Sequence, residues 1–210
     1  MLRSVITAMC KLIYPLFISL LFLSPLSYAK MYDLVILGDS ISSGYGVSMQ
    51  NNWVSLMLSN KPCSYKHLNL SAQGATSSDG LTTIKKFFSQ HNTHHLLLEL
   101  GGNDALRGNA LTMLSSNLNE IITLAEENNT KIILIGVDLP PNYGNFFRKR
   151  FQNTYEHIAN RHDIPLIQLD FPQNPNLLQD DGIHPNTKGH QLIADSISPM
   201  VSAKLCNLRV

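Results

Sequence analysis

The sequence predicts an α/β domain, a doubly wound sheet of five parallel strands flanked by helices. Five short apolar runs recur along the chain, at 32–38, 64–71, 94–100, 131–139 and 164–170. Between them lie stretches whose apolar residues fall three and four apart, the spacing of one helix face. Most of the runs are continuous rather than alternating, the pattern of strands buried on both faces by helical crossovers. A length of 210 residues suits one domain with a sizeable core.

The elements follow in order. Residues 1–29 read as a cleaved secretory signal: "MLRSVITAMCK" carries Arg3 and Lys11 and no acid, "LIYPLFISLLFLSPLSYA" is uncharged, and Ser27 and Ala29 are small residues two apart. An uncleaved membrane anchor is the competing reading; Pro15 and Pro25 and the marginal length weigh against it. The domain then spans 30–210. "YDLVILG" is the first strand, and Trp53, Leu56 and Met57 mark a helix after it. "SYKHLNLS" is the second strand. Thr76 and Asp79 form a capping-box pattern opening a helix through Ile84, Phe87 and Phe88. "HHLLLEL" is the third strand, followed by the most regular helix, with Leu111, Leu114, Leu118, Ile121, Ile122 and Ala125 on one face. "KIILIGVDL" is the fourth strand; "PPNYG" breaks the chain before a helix through Phe151, Tyr155 and Ile158. "IPLIQLD" is the fifth strand, and a last helix from about Thr187 carries Leu192, Ile193, Ile197 and Val201, with Pro199 as a bend.

Composition narrows the function. A formal net charge of +1 gives no electrostatic case for nucleic acid or an anionic membrane surface. Neither CxxC, a P-loop nor GxGxxG is present, which argues against redox, nucleotide and dinucleotide chemistry. After signal cleavage two cysteines remain, Cys63 and Cys206; in an oxidising compartment such a pair is either bridged or free, and spacing does not decide.

In a doubly wound sheet, ligands bind beyond the carboxyl ends of the strands, where strand order reverses. Asp39 and Ser40 follow the first strand, "NLSAQGATS" with Gly74 the second, "GGND" with Asn103 the third, and "DDGIHPN" with Asp181 and His184 the fifth. Each motif alone also reads as an ordinary turn. Together they match the needs of acyl transfer. A serine hydroxyl requires an adjacent base, and a histidine requires a carboxylate to hold its tautomer. Asp181 and His184, three apart around Gly182, have spacing for that contact. The oxyanion requires donors, and the Gly74 and Ser40 amides and the neutral Asn103 side chain suit that task. Tyr143 in the loop after the fourth strand is a candidate substrate contact. Ile183, between the acid and the base, is a candidate wall of an acyl pocket.

The blocks "GDSIS", "NLSAQGATS", "ELGGNDALRG", "LPPNYG" and "DDGIHPN" resemble the SGNH (GDSL-type) hydrolases, and more narrowly the bacterial multifunctional thioesterase, protease and lysophospholipase enzymes also described as arylesterases. The resemblance implies a flavodoxin-like fold and a catalytic triad of Ser40, His184 and Asp181. It also implies an oxyanion hole of Ser40, Gly74 and Asn103, and no metal or cofactor. Ile41 stands where the family's name implies Leu, and Ala75 where close relatives often carry Asp; neither change removes a catalytic group. In the implied fold, Cys63 and Cys206 both fall at the amino-end floor of the sheet, and a disulfide between them is expected.

The expected activity is therefore that of an exported serine esterase, periplasmic or secreted, acting on a small ester, thioester or lysophospholipid, with no stable membrane anchor once the signal is removed. A carbohydrate O-acetyl esterase, or a non-catalytic lipid- or sugar-binding module on the same fold, are the alternatives. His91, His94 and His95 read as a solvated junction rather than a metal site, His190 as structural, and "FFRKR" as a solvated helix face.

Overall fold

The computed structural model describes residues 30–59, 64–169 and 174–206. The expected signal segment and Cys63 lie outside them, as does the side chain of Cys206, and so does the expected disulfide. Strands β1 (Lys30–Gly38), β2 (His67–Asn69), β3 (His91–Glu99), β4 (Lys131–Gly136) and β5 (Leu166–Gln168) form one parallel sheet in the order β2-β1-β3-β4-β5. Helices α1 (Ser40–Ser43), α2 (Trp53–Ser59), α3 (Ser77–Phe88), α4 (Gly102–Leu106), α5 (Leu111–Glu127), α6 (Asn145–His162) and α7 (Thr187–Cys206) connect and cover it.

The core follows from the apolar runs. Consecutive residues of a strand point to opposite faces, and Leu34, Val35, Ile36 and Leu37 are all buried, so both faces of β1 are covered. Leu96–Leu98 and Ile132–Ile135 repeat the pattern on β3 and β4. Helix α2 packs against α7, while α3 packs against α5 and α5 against α6. The capping box at the start of α3 is present: Thr76 and Asp79 bond each other's backbone.

Several boundaries differ from expectation, each for a physical reason. β2 is three residues long rather than eight, because it is an edge strand paired only with β1 and half its surface is open. β4 stops at Gly136, and Val137–Leu139 leave the sheet to wall the crevice above it. β3 begins at His91, so His91, His94 and His95 belong to a strand rather than a solvated junction. His95 is buried there, and burial holds its pKa down to about 4. His190 is fully buried on α7 and accepts the Trp53 N–H through Nδ1 at 3.3 Å. Leu192 faces solvent, and α7 runs through Pro199. Arg148 of "FFRKR" is not solvated: it is buried and ion-paired with Asp138.

Strand order reverses between β1 and β3. Their carboxyl ends are direct neighbours, with Gly38 opposite Glu99. The chain leaves β3 through Gly101, whose φ of 130° is closed to most residues, and a methyl group there would lie 2.2 Å from the Tyr155 hydroxyl. That hydroxyl donates to the Leu100 carbonyl at 2.9 Å, so it is not free to move aside. Gly101→Ala should therefore destabilise the fold by about 2–4 kcal/mol, combining backbone strain with overpacking. Urea unfolding at unchanged m-value checks this, and a wild-type midpoint would contradict it.

Candidate active site

Ser40 opens α1 directly beyond β1 and is only 8% exposed. Asp39 caps that helix, its Oδ1 accepting the Ile41 N–H at 2.9 Å. The sequence presents Asp39 as a turn former; in the structure its Oδ2 also accepts from Asn103 Nδ2 at 3.0 Å. One buried carboxylate thus ties the end of β1 to the end of β3.

Asp181 and His184 arrive on the loop between β5 and α7. Asp181 Oδ1 accepts the backbone N–H groups of Ile183 (2.9 Å) and His184 (3.0 Å), and its Oδ2 lies 2.6 Å from His184 Nδ1. Burial pushes the Asp181 carboxyl up, but those amide bonds and the imidazole together hold it below the usual carboxylate range. His184 Nε2 lies 2.8 Å from Ser40 Oγ. A carboxylate accepts and does not donate, so Nδ1 carries the proton and Nε2 is left to accept from the serine. Gln179 fastens the loop, donating to the Tyr45 and Pro185 carbonyls at 2.8 and 2.9 Å. The Tyr45 ring packs on the imidazole at 4.5 Å. Tyr45 and Gln179 escape a reading of the sequence, because they act through contacts between distant segments.

Asn103 lies on α4, one turn into the chain beyond β3, rather than in a turn. Both protons of its amide are engaged, with Asp39 Oδ2 and with the Ala75 carbonyl at 3.2 Å. Gly74 occupies the loop after β2 at φ 71°, a conformation that glycine adopts without strain. A cavity of about 90 Å³ adjoins Ser40 and His184; Ile41, Leu106, Val137, Leu139, Pro140 and Ile183 give it apolar walls. Ile183 is therefore placed at this cavity, while Tyr143 is not among its lining residues and stacks on Phe147 at 6.1 Å. Among the described residues no group of three or more His, Cys, Asp or Glu could hold a metal ion.

Beneath the site lies an acid that the apolar run "LLLEL" half discloses. Glu99 is fully buried; its Oε2 accepts the Ser42 hydroxyl at 2.7 Å and the Asp39 N–H at 3.3 Å. It therefore holds residues on both sides of Ser40, Asp39 by its backbone and Ser42 by its hydroxyl. Burial, reinforced by the Asp39 charge, pushes the Glu99 carboxyl well above its ordinary range. Burial likewise raises Asp39, to about 6.

Residues 36–192 match the GDSL-like Lipase/Acylhydrolase family. The chain is 34% identical over 176 residues to the thioesterase 1/protease 1/lysophospholipase L1 of Escherichia coli (strain K12), covering 80% of this chain and 85% of that one. It is 30% identical over 171 residues to an arylesterase of Vibrio mimicus, covering 79% and 86%. The crystal structure of TesA superposes with a TM-score of 0.76 at 30% identity, covering 81% of this chain and 98% of that one.

A group with a raised folded pKa stabilises most below its unfolded pKa and loses that stabilisation as pH rises. Glu99, neutral in the fold but ionised once unfolded, therefore weakens the protein above its ordinary pKa of 4.5. Glu99→Gln keeps an oxygen for the Ser42 and Asp39 donors and removes this penalty. The Tm of the variant relative to wild type should rise as pH increases above 4.5, the ordinary pKa of the carboxyl. Parallel Tm–pH curves would refute the neutral buried acid.

Proposed function

The chain belongs to the GDSL-like lipase/acylhydrolase family, and on that premise we propose that it is an exported serine esterase hydrolysing carboxylic esters and thioesters, lysophospholipids among them. The observation that carries the reading is the hydrogen-bonded chain from Ser40 Oγ through His184 to Asp181, with contacts of 2.8 and 2.6 Å. His184 Nε2 takes the Ser40 proton as Oγ attacks the acyl carbon, and Asp181 stabilises the imidazolium that forms. The tetrahedral oxyanion is received by the Ser40 and Gly74 backbone N–H groups and by the Asn103 amide. A charged oxygen competes favourably with the neutral Ala75 carbonyl for one Asn103 proton. His184 then returns its proton to the leaving alcohol or thiol. Water, deprotonated by the same imidazole, attacks the acyl-enzyme; the C–Oγ bond breaks, the imidazolium returns the proton to Ser40 Oγ, and the carboxylic acid leaves.

The composition of residues 1–29 supports export, and an exported enzyme meets esters outside the cytoplasm rather than cytosolic acyl-CoA. Among the described residues no helix is long and apolar enough to cross a membrane. The apolar cavity suits an acyl group. Its volume of about 90 Å³ suits a short acyl group, which makes a carbohydrate O-acetyl esterase the second reading; longer chains extend along the open rim.

Ser40→Ala should abolish turnover of p-nitrophenyl acyl esters and labelling by a fluorophosphonate while the thermal transition is retained; wild-type turnover in that variant would overturn the assignment. Asn103→Ala should lower kcat roughly 10²–10³-fold, read in steady-state kinetics. A rate series from acetyl to long-chain esters and lysophospholipids separates the two substrate readings, since an O-acetyl esterase stops at the shortest chain.

A further inference from the structure

Helix α4 and Arg107, the residue that caps its carboxyl end, grip the 74–77 segment through three side chains. Asn103 Nδ2 donates to the Ala75 carbonyl at 3.2 Å. Asp104, buried to 1% exposure, accepts the Ser77 N–H at 2.7 Å and the Ser77 hydroxyl at 2.6 Å. Arg107 Nη2 donates to the Gly74 carbonyl at 2.7 Å. Asn103 and Arg107 are four residues apart, so they lie on one face of the helix and take successive carbonyls of the facing loop. That loop is a tight turn: the Ala75 N–H bonds the Ala72 carbonyl at 3.1 Å, with Gly74 at the position that requires positive φ. The Gly74 N–H itself bonds no described residue.

We propose that Arg107 is a positioning residue: its guanidinium holds the Gly74 carbonyl, and with the Ala72–Ala75 turn bond that sets the Gly74 dihedrals it aims the N–H of the preceding Gln73–Gly74 peptide at the oxyanion. The inference rests on the reading of Gly74 and Asn103 given above. The need for a second anchor follows from the Asn103 contacts. Its two amide protons are already committed, so giving one to substrate loosens its hold on the Ala75 carbonyl or on Asp39. Asp104 holds the segment only further along, at Ser77. Arg107 is the anchor at Gly74 itself. A charged donor to a carbonyl is stronger than a neutral one, and the Arg107 side chain makes no other hydrogen bond to a described residue. The acid that feels its charge, Asp79, is occupied by the Thr76 N–H and hydroxyl at 2.9 and 2.7 Å.

The test uses the full-length mature enzyme and p-nitrophenyl acetate, a small neutral ester with no headgroup for a guanidinium to bind. Arg107→Ala should lower kcat about tenfold or more while KM stays within about twofold. Added guanidinium, below concentrations that unfold the protein, should recover part of the loss, and Arg107→Lys should fall between the two. Amide exchange across 72–78 should quicken in Arg107→Ala. An unchanged kcat, a loss confined to KM, or no recovery with guanidinium would overturn the proposal. If Arg107→Ala does not fold, Arg107→Lys and its exchange profile decide. Absence of esterase activity in the wild type would sink the functional reading alone, because the exchange measurement on a Ser40→Ala background still reports the clamp.

Discussion

The site depends on the parallel pairing of β1 with β3. Between these strands the order of the sheet reverses, and the chain departs in opposite directions from adjacent carboxyl ends. Without that register, Ser40 and Asn103 would stand on separate strand tops with no shared crevice. With it, Gly38 sits opposite Glu99 and the two exits are close enough for one carboxylate, Asp39, to bond both. The apolar layers serve this alignment. Leu34–Leu37 and Leu96–Leu98, covered on both faces, bury the two strands side by side beneath the crevice.

The alignment places acids in a dry environment. Asp39 and Glu99 are both buried, and both carboxyls are pushed upward by loss of hydration. Their donors make this tolerable: Ser42, Ile41, Asn103 and the Asp39 amide all point at carboxyl oxygens. Such a network is rigid because each donor would be left unsatisfied if its acceptor moved. The result is a nucleophile turn supported from below by hydrogen bonds and from the side by α4. By contrast, the imidazole is held by a surface loop that relies on its own turn and on Gln179.

Much of this was legible in the sequence. Continuous apolar runs gave the five strands, the three-and-four spacing of Leu111 to Ala125 gave α5, and Thr76 with Asp79 gave the start of α3. Ser40, Gly74 and Asn103 stood out because each lies just beyond an apolar run, and the Asp181–His184 pair, on a longer loop, because its spacing is a local property that a turn can satisfy. The remainder depends on partners distant in sequence. Nothing near "SYKHLNLS" says that the strand is an edge and so shortens to three residues. Nothing near Arg148 says that Asp138 will bury with it. Asp39 looked like punctuation because its second partner, Asn103, is 64 positions away. His95 reads as part of a solvated junction, yet at its place in β3 it is buried.

The hydroxyl and the imidazole that meet at 2.8 Å are separated by 144 positions. A ribosome or a translocation pore delivers the amino-terminal end first. On the proposed mechanism the hydroxyl thus emerges before the imidazole that would activate it, and a serine without a base is a weak nucleophile. Competence comes only when the final loop docks and α7 closes against α2. On the proposed mechanism, therefore, the fold itself withholds activity until the last loop is in place.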